Sequence, residues 1–178
     1  MGLKINMLRV LILSLIAITN FVLQSTLFSY IAIGGIKPNT AIILTVSYAI
    51  LRGDIEGAIF GFAMGFLQDV FFGNVLGLYA LLGALVGFIC GKPFKDFFTE
   101  NYLLPVVLVF ASMLAYEFVF YIFSFLIYGR TDFLYYFKRI ILSETVYTTV
   151  LSLVIYRVVY GINRRLEDHE NKKRSFFK

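Results

Sequence analysis

The sequence predicts an all-α integral membrane protein with about six transmembrane helices, the second and fourth of them short. Hydrophobic residues make up 60% of the 178-residue chain and charged residues only 15%, whereas about a quarter of a typical globular domain is charged. The mean hydropathy is +0.83. Glycine also returns every fourth residue in two apolar runs, a spacing at which lipid-embedded helices often pack closely. We therefore expect one polytopic membrane domain, residues 1–160, and a tail, residues 161–178.

The first apolar run covers residues 10–28 and follows a short basic segment. It is longer than the 7–15-residue core of a signal peptide, and no convincing cleavage site of small residues follows it. We therefore expect a retained first helix with Gln24 as a polar residue inside the membrane.

The second run, residues 39–51, is short for a membrane span. Its 13 residues would form about 20 Å of helix. Pro38 precedes it at a position that suits the first turn of a helix. The run either crosses by using flanking residues and thinning the bilayer, or it is a re-entrant segment sheltered by its neighbours. A brief polar link with Arg52, Asp54 and Glu56 follows.

The third run, residues 55–72, and the fourth, residues 75–89, carry the glycine repeat. A step of four keeps successive residues adjacent on one helix face, so each helix has a stripe without side chains. We expect a tight helical hairpin, with Asn74 as N-cap of the fourth helix and with Gly91 and Pro93 at its end. The glycines predicted to pack helices are Gly53, Gly57, Gly61, Gly65, Gly73, Gly77, Gly83 and Gly87.

The fifth run, residues 102–128, is the longest, and the sixth covers residues 140–160. The loop between them is rich in tyrosine and phenylalanine, which is typical of an aromatic belt at the headgroup level. From Gly161 the chain is polar and basic, and we expect a mobile or surface-lying tail. The tail residues expected at the lipid surface are Arg164, Arg165, Lys172, Lys173 and Arg174.

The distribution of basic residues predicts the orientation and the kind of surface they meet. The net charge of +5 resides mostly at the ends of apolar runs and in the tail, which favours anionic lipid headgroups over nucleic acid. Six spans place both termini on one side, and that side carries more Lys and Arg, so the positive-inside rule predicts cytoplasmic termini. A re-entrant second run would leave five spans and change this prediction.

Polar residues inside apolar runs are the candidate functional residues: Gln24, Asp69, Glu117 and Glu144. A carboxylate deep in a span costs about 2.5–3.5 kcal/mol, so it must be paired, protonated or buried against protein. For Asp69 the alternatives are a structural contact with backbone N–H groups of the turn 73–76 or with a polar side chain, a relay or ligand site, and a partner contact. Glu117 and Glu144 have either a structural role or one in proton-coupled transport, and we expect Glu117 to be protonated or hydrogen-bonded to Tyr116, Tyr147 or Gln24.

Nothing in the sequence predicts an active site. His169, the only histidine, lies in the charged tail, and Cys90 lies in an apolar run as a packing residue. The sequence has no nucleophile–base–acid set and no cluster of metal ligands, and its glycine runs lack the lysine of a phosphate-binding loop. We therefore predict no enzymatic activity, no cofactor and no metal.

Residues 38–85 resemble the rod shape-determining protein MreD family. The shared features are Pro38-Asn39 before a short apolar run, Gly53, the ladder Gly57-xxx-Gly61-xxx-Gly65, Leu67-Gln68-Asp69-Val70, Gly73, Leu76-Gly77-Leu78 and Ala80-Leu81. Length, the number of apolar runs and the Gln24-Ser25-Thr26 interruption of the first helix also fit this family.

The resemblance implies a non-catalytic component of the bacterial cell-elongation machinery in the inner membrane. Proteins of this kind bind MreC and work with MreB, RodA and its partner transpeptidase, so that peptidoglycan is inserted along the side wall. Their fold resembles the substrate-binding subunits of energy-coupling-factor vitamin transporters. Homodimer formation stays open.

That shared fold supplies the main alternative, a substrate-binding subunit of a vitamin transporter. Against it, the first helix lacks the small-xxx-small alanine pair with which such subunits dock, since Ala17 and Ala32 stand alone. The predicted outer loops also offer few polar groups for a ligand. A membrane-embedded enzyme is a second alternative, disfavoured by the missing active-site set.

Overall fold

The computed structural model describes residues 7–26, 30, 32, 35–72, 77–92, 103–128 and 133–176, and these residues form helices joined by short links, with no β-strand among them. The prediction of an all-helical chain is therefore confirmed. The helices are α1 (Met7–Ser25), α2 (Thr40–Arg52), α3 (Asp54–Phe72), α4 (Leu78–Gly91), α5 (Leu103–Tyr128), α6 (Phe133–Tyr136) and α7 (Leu142–Phe176), with a π-helical turn at Phe137–Ile141 between the last two.

Helix α2 is the centre of the fold. It packs against α1, α3, α4, α5 and α7, and every residue from Thr40 to Ile50 is buried. The main core forms where Ile43 and Val46 of α2 meet Val109 and Met113 of α5. Neighbouring helices therefore cover α2 on all sides, and this 13-residue helix is shielded from lipid by protein.

The start of α4 differs from the prediction. The helix begins at Leu78 with Gly77 as its N-cap, so the assignment of Asn74 as N-cap is wrong. Gly77 has a left-handed backbone with φ of 94°, a conformation that glycine adopts without steric cost. Residues 73–76, which include Asn74 and the predicted packing residue Gly73, lie outside the described residues.

The last helix extends beyond the sixth apolar run. The sequence predicts a run over residues 140–160 and a mobile or surface-lying tail after it, but α7 continues through Gly161 to Phe176. An exposed helical glycine costs only about 1 kcal/mol relative to alanine, too little to end a helix whose next turns are anchored. Asn163, two residues further on, is 6% exposed, so the first turns of the predicted tail belong to the folded body.

The outer surface of the helices is apolar. Large exposed side chains such as Leu11 and Leu15 of α1, Phe66 of α3 and Val154 of α7 point away from the core. Within the described ranges, segments Leu103–Phe123 and Leu134–Glu167 are long and apolar enough to cross a bilayer, and α1, α2 and α4 are shorter apolar helices. An apolar surface of this extent is what lipid covers in a membrane protein.

Candidate functional site

Helices α3 and α4 form an antiparallel hairpin in which the two backbones touch. A methyl group added at Gly61 would overlap the carbonyl oxygen of Gly83, and one added at Gly83 would overlap that of Gly61. Gly57 and Gly87 obstruct each other in the same reciprocal way. Each step of four residues along α3 is thus matched by a step of four back along α4, and close van der Waals contact extends over several helical turns.

Three further glycines have distinct positions. A methyl group at Gly65 would meet the backbone of Tyr79 and Ala80 at the far end of the hairpin. Gly53 ends α2 with φ of 100°, and its N–H donates to the Ala49 carbonyl at 2.8 Å. Gly77 was predicted to pack helices, but no atom of the described residues lies within 4 Å of a methyl group added there. Its role is the turn before α4, because only its backbone conformation requires glycine.

Asp69 caps α4 from the neighbouring helix. Its carboxylate accepts hydrogen bonds from the backbone N–H groups of Tyr79 at 3.1 Å and Ala80 at 2.8 Å. The N-cap Gly77 offers no side-chain cap of its own, and the first N–H groups of a helix have no partner inside it. Asp69 is 1% exposed, so both bonds are shielded from water.

The position of Asp69 also explains how a buried negative charge is tolerated. The residue lies one turn from the C-terminus of α3, where the helix dipole disfavours an anion. The carboxylate points at the N-terminus of α4, where the dipole and the free N–H groups favour an anion. The structural alternative therefore fits the geometry, although the N–H groups belong to α4 and not to the turn 73–76.

A polar network surrounds Asn39 at the same end of the bundle. The Asn39 side chain accepts from the Ile42 N–H at 3.3 Å and so caps α2. It also accepts from Gln68 of α3 at 3.3 Å, and Tyr116 of α5 donates to Gln68 at 3.4 Å. The Asn39 backbone N–H donates to the Thr148 hydroxyl of α7 at 3.0 Å. Four helices are therefore joined through one asparagine.

Gln24 extends this network to α1. Its side-chain oxygen accepts from the Thr40 hydroxyl at 2.8 Å. The hydrogen bond that was expected between Gln24 and Glu117 is absent, and Tyr116 and Tyr147 do not bond Glu117 either among the described residues.

Glu117 and Glu144 line one cavity of about 220 Å³ beside this network. Glu117 is 6% exposed and Glu144 is half-buried. In the part of the chain that the structure describes, neither carboxyl group has a hydrogen bond or an ion pair. The cavity is also lined by the polar residues Gln24, Lys37, Asn39 and Gln68.

A second polar cluster lies at the opposite end of the bundle and was missed by sequence reasoning. Glu56 accepts from Arg52 at 3.0 and 3.2 Å and from Tyr48 at 3.0 Å, and Arg9 of α1 lies 3.7 Å away. Arg52 also pairs with Glu167 of α7 at 3.2 Å. The stretch 52–56, interpreted as a brief link, thus joins four helices. The four-residue spacing of Arg52 and Glu56 was the available signal.

The remaining predicted residues take no part in these clusters. Arg164 and Arg165 are exposed, while the side chains of Lys172, Lys173 and Arg174 lie outside those described. Cys90 is buried, with its sulfur 3.1 Å from the Ser112 hydroxyl. No group of three metal-binding side chains occurs among the residues that the structure describes.

Comparison with known proteins identifies the family. The family model described as rod shape-determining protein MreD matches residues 4–165. The chain belongs to the MreD family. The match extends the resemblance seen at residues 38–85 to α5 and most of α7, and membership assigns the chain a role in determining rod shape. Together with the apolar helices it makes this MreD-family chain a membrane protein. No curated protein and no solved structure shows significant similarity to the chain.

Proposed function

We propose that this MreD-family protein is a non-catalytic scaffold of the cell-elongation machinery in the bacterial inner membrane. It binds MreC, acts with MreB, RodA and its partner transpeptidase, and helps to direct peptidoglycan synthesis along the side wall. It crosses the membrane several times, with both termini in the cytoplasm.

The observation that carries this proposal is the hairpin of α3 and α4. Backbone contact at Gly61–Gly83 and Gly57–Gly87, together with the Asp69 cap, gives a core with little freedom to rearrange. A scaffold needs such a core because partners held on its outer faces must keep a fixed relation to one another. The apolar residues exposed on α1 and α7 are available to neighbouring transmembrane helices as well as to lipid.

The cavity lined by Glu117 and Glu144 is small for an enclosed vitamin. Its volume is about 220 Å³, below the roughly 300–1,000 Å³ of pockets that enclose a drug-sized ligand. A likeness to the fold of energy-coupling-factor substrate-binding subunits is compatible with this difference, because one fold can carry unrelated functions.

Depletion in a rod-shaped host tests the proposal. We expect cells that lose the protein to become round, and cells that express it from a plasmid to stay rod-shaped. Co-purification with tagged MreC should accompany the rescue. Rods that persist after depletion would contradict the proposal, as would a vitamin that co-purifies with the protein in stoichiometric amount.

A further inference from the structure

The cavity lined by Glu117 and Glu144 holds more acidic groups than basic ones. Two carboxyl groups and a single amine, that of Lys37, face it. Lys37 is exposed and can neutralise at most one of the two acids. One carboxyl group therefore has no counter-charge among the described residues that line the cavity.

Glu117 is the less easily explained of the two. Its side chain is more than nine-tenths buried, yet it has no hydrogen bond among the described residues. Buried acids with a purely structural role normally accept hydrogen bonds, because an unpaired buried charge costs several kcal/mol. Asp69 of α3 is an example, since it accepts from two backbone N–H groups. The packing of α3 on α4 does not involve Glu117, so the scaffold core leaves this group unused.

Gln24 adds a further acceptor to the cavity wall. Its side-chain oxygen accepts from Thr40 among the described residues, and a carbonyl oxygen has a second lone pair; the Asn39 oxygen already accepts from both Ile42 and Gln68. The volume of about 220 Å³ equals roughly seven liquid waters. It suits one polar head group and not a whole vitamin.

We propose that this cavity binds one cationic nitrogen group, an ammonium or a guanidinium, with Glu117 and Glu144 as its counter-charges. A planar guanidinium can bond a carboxylate through two parallel N–H donors. Lys37 lines the cavity and is exposed, so we expect the group to enter beside it, at the end of the bundle where α2 begins. It belongs either to a free small amine or to a basic side chain of a neighbouring protein.

The test uses the full-length protein in lipid nanodiscs, with its thermal unfolding midpoint followed as a probe is added. The probes are methylguanidinium and acetyl-arginine-amide, and the neutral control is acetyl-citrulline-amide, which has nearly the same shape as the arginine probe. A ligand that binds only the folded state raises the midpoint with concentration. We expect at least one guanidinium probe to do so and the citrulline probe to have no effect.

Matched variants assign the effect to the cavity. Glu117→Gln and Glu144→Gln remove one charge each at nearly constant volume, and each should weaken binding by about tenfold to a hundredfold. Asp54→Asn is the control, because Asp54 lies at the end of α3 far from the cavity residue Gln68 and, within the described ranges, its carboxylate accepts from the adjacent Ile55 N–H, at 2.9 Å. It should bind the probes as the unchanged protein does. If one glutamine variant fails to fold, the other still gives the answer.

The outcomes distinguish the two sources of the cationic group, and they test the cavity proposal separately from the scaffold proposal. Binding of methylguanidinium as tight as that of acetyl-arginine-amide supports a free small cation, and preference for the arginine probe supports a basic side chain of a neighbouring protein. Equal response to arginine and citrulline probes, or unchanged affinity in both glutamine variants, overturns the proposal and leaves a proton on Glu117 as its neutralising partner. The scaffold function is tested separately by cell shape, so either proposal can fail alone.

Discussion

At the scale of single residues, Asp69 shows how one side chain connects two helices. The sequence alone predicts that a carboxylate at this position must be compensated, because it lies in an apolar run near the C-terminus of α3. The sequence does not reveal the partner. The N–H groups of Tyr79 and Ala80 lie in the first turn of α4 because the helix begins at Leu78, whereas the predicted apolar run begins at residue 75.

Removing the Asp69 carboxylate should destabilise the protein. Asp69→Ala leaves two buried N–H groups without acceptors, and we expect a loss of about 2–4 kcal/mol, from about 1–3 for each unpaired group less what relaxation recovers. Asp69→Asn keeps one acceptor oxygen, so its loss should be smaller. Reversible unfolding in mixed micelles measures both. Equal stability of Asp69→Ala and the unchanged protein would refute the cap.

Other residues of the site were only partly predictable. Gln24, Glu117 and Glu144 are conspicuous in apolar runs, and the structure places all three on one cavity. Asn39 is not conspicuous, because it lies at the end of a run beside Pro38 and looks like an ordinary helix cap. Its bonds to Gln68 and Thr148 depend on how distant helices meet, which local pattern does not specify.

At the scale of helices, the glycine ladder was the most informative pattern. Its four-residue step predicts a stripe on each helix, and the structure brings the two stripes together in antiparallel order. Gly77 is the exception. It falls on the same four-residue interval, but it lies after the end of α3 and forms the turn before α4. Periodicity alone cannot distinguish a packing glycine from a turn glycine when both fall on one interval.

Two glycine variants separate packing from helix propensity. Gly61→Ala places a methyl group against the Gly83 carbonyl, and overpacking of this kind costs about 1–3 kcal/mol. Gly161→Ala adds the same methyl group to α7, where no atom of the part of the chain that the structure describes lies within 4 Å, and it should be neutral or stabilise by up to about 1 kcal/mol. Thermal unfolding in detergent measures the pair. A Gly61→Ala protein as stable as Gly161→Ala would disprove backbone contact.

The ionic cluster around Glu56 connects α1, α2, α3 and α7 at the end of the bundle opposite Asn39. Glu56→Gln removes the charge that faces Arg52 and Arg9, and we expect a loss of about 1.5–3 kcal/mol, the range for hydrogen bonds to charged groups. Glu167→Gln breaks a single pair whose carboxylate is 42% exposed, so its effect should stay below about 1 kcal/mol. Denaturation of the two variants gives the comparison, and the reverse order would contradict the assigned contacts.

At the scale of the whole molecule, composition predicts a helical membrane protein and the six apolar runs predict where helices form. What the runs do not predict is the central place of α2, because a short apolar helix looks the same whether it lies at the edge of a bundle or inside it. The sequence also does not predict that α7 continues past Gly161. The polar composition there suggests a tail, but in the structure Asn163 is buried against the folded body and the chain stays helical.

The proposed orientation can be checked with cysteine labelling. Tyr30, which is 90% exposed between α1 and α2, should lie outside, and the exposed Arg164 should lie in the cytoplasm. An impermeant maleimide applied to intact protoplasts should label Tyr30→Cys and spare Arg164→Cys until the membrane is opened. Cys90 is buried and should contribute little background. Labelling of Arg164→Cys in sealed protoplasts would reverse the orientation.

The central claim is that direct backbone contact between α3 and α4 is required for rod shape, and complementation of depleted cells tests it most directly. With membrane levels matched by immunoblot, Gly161→Leu should restore rods, because its side chain has open space, whereas Gly61→Leu should leave cells round, because its side chain would collide with Gly83. Rods restored equally by both variants would contradict the claim.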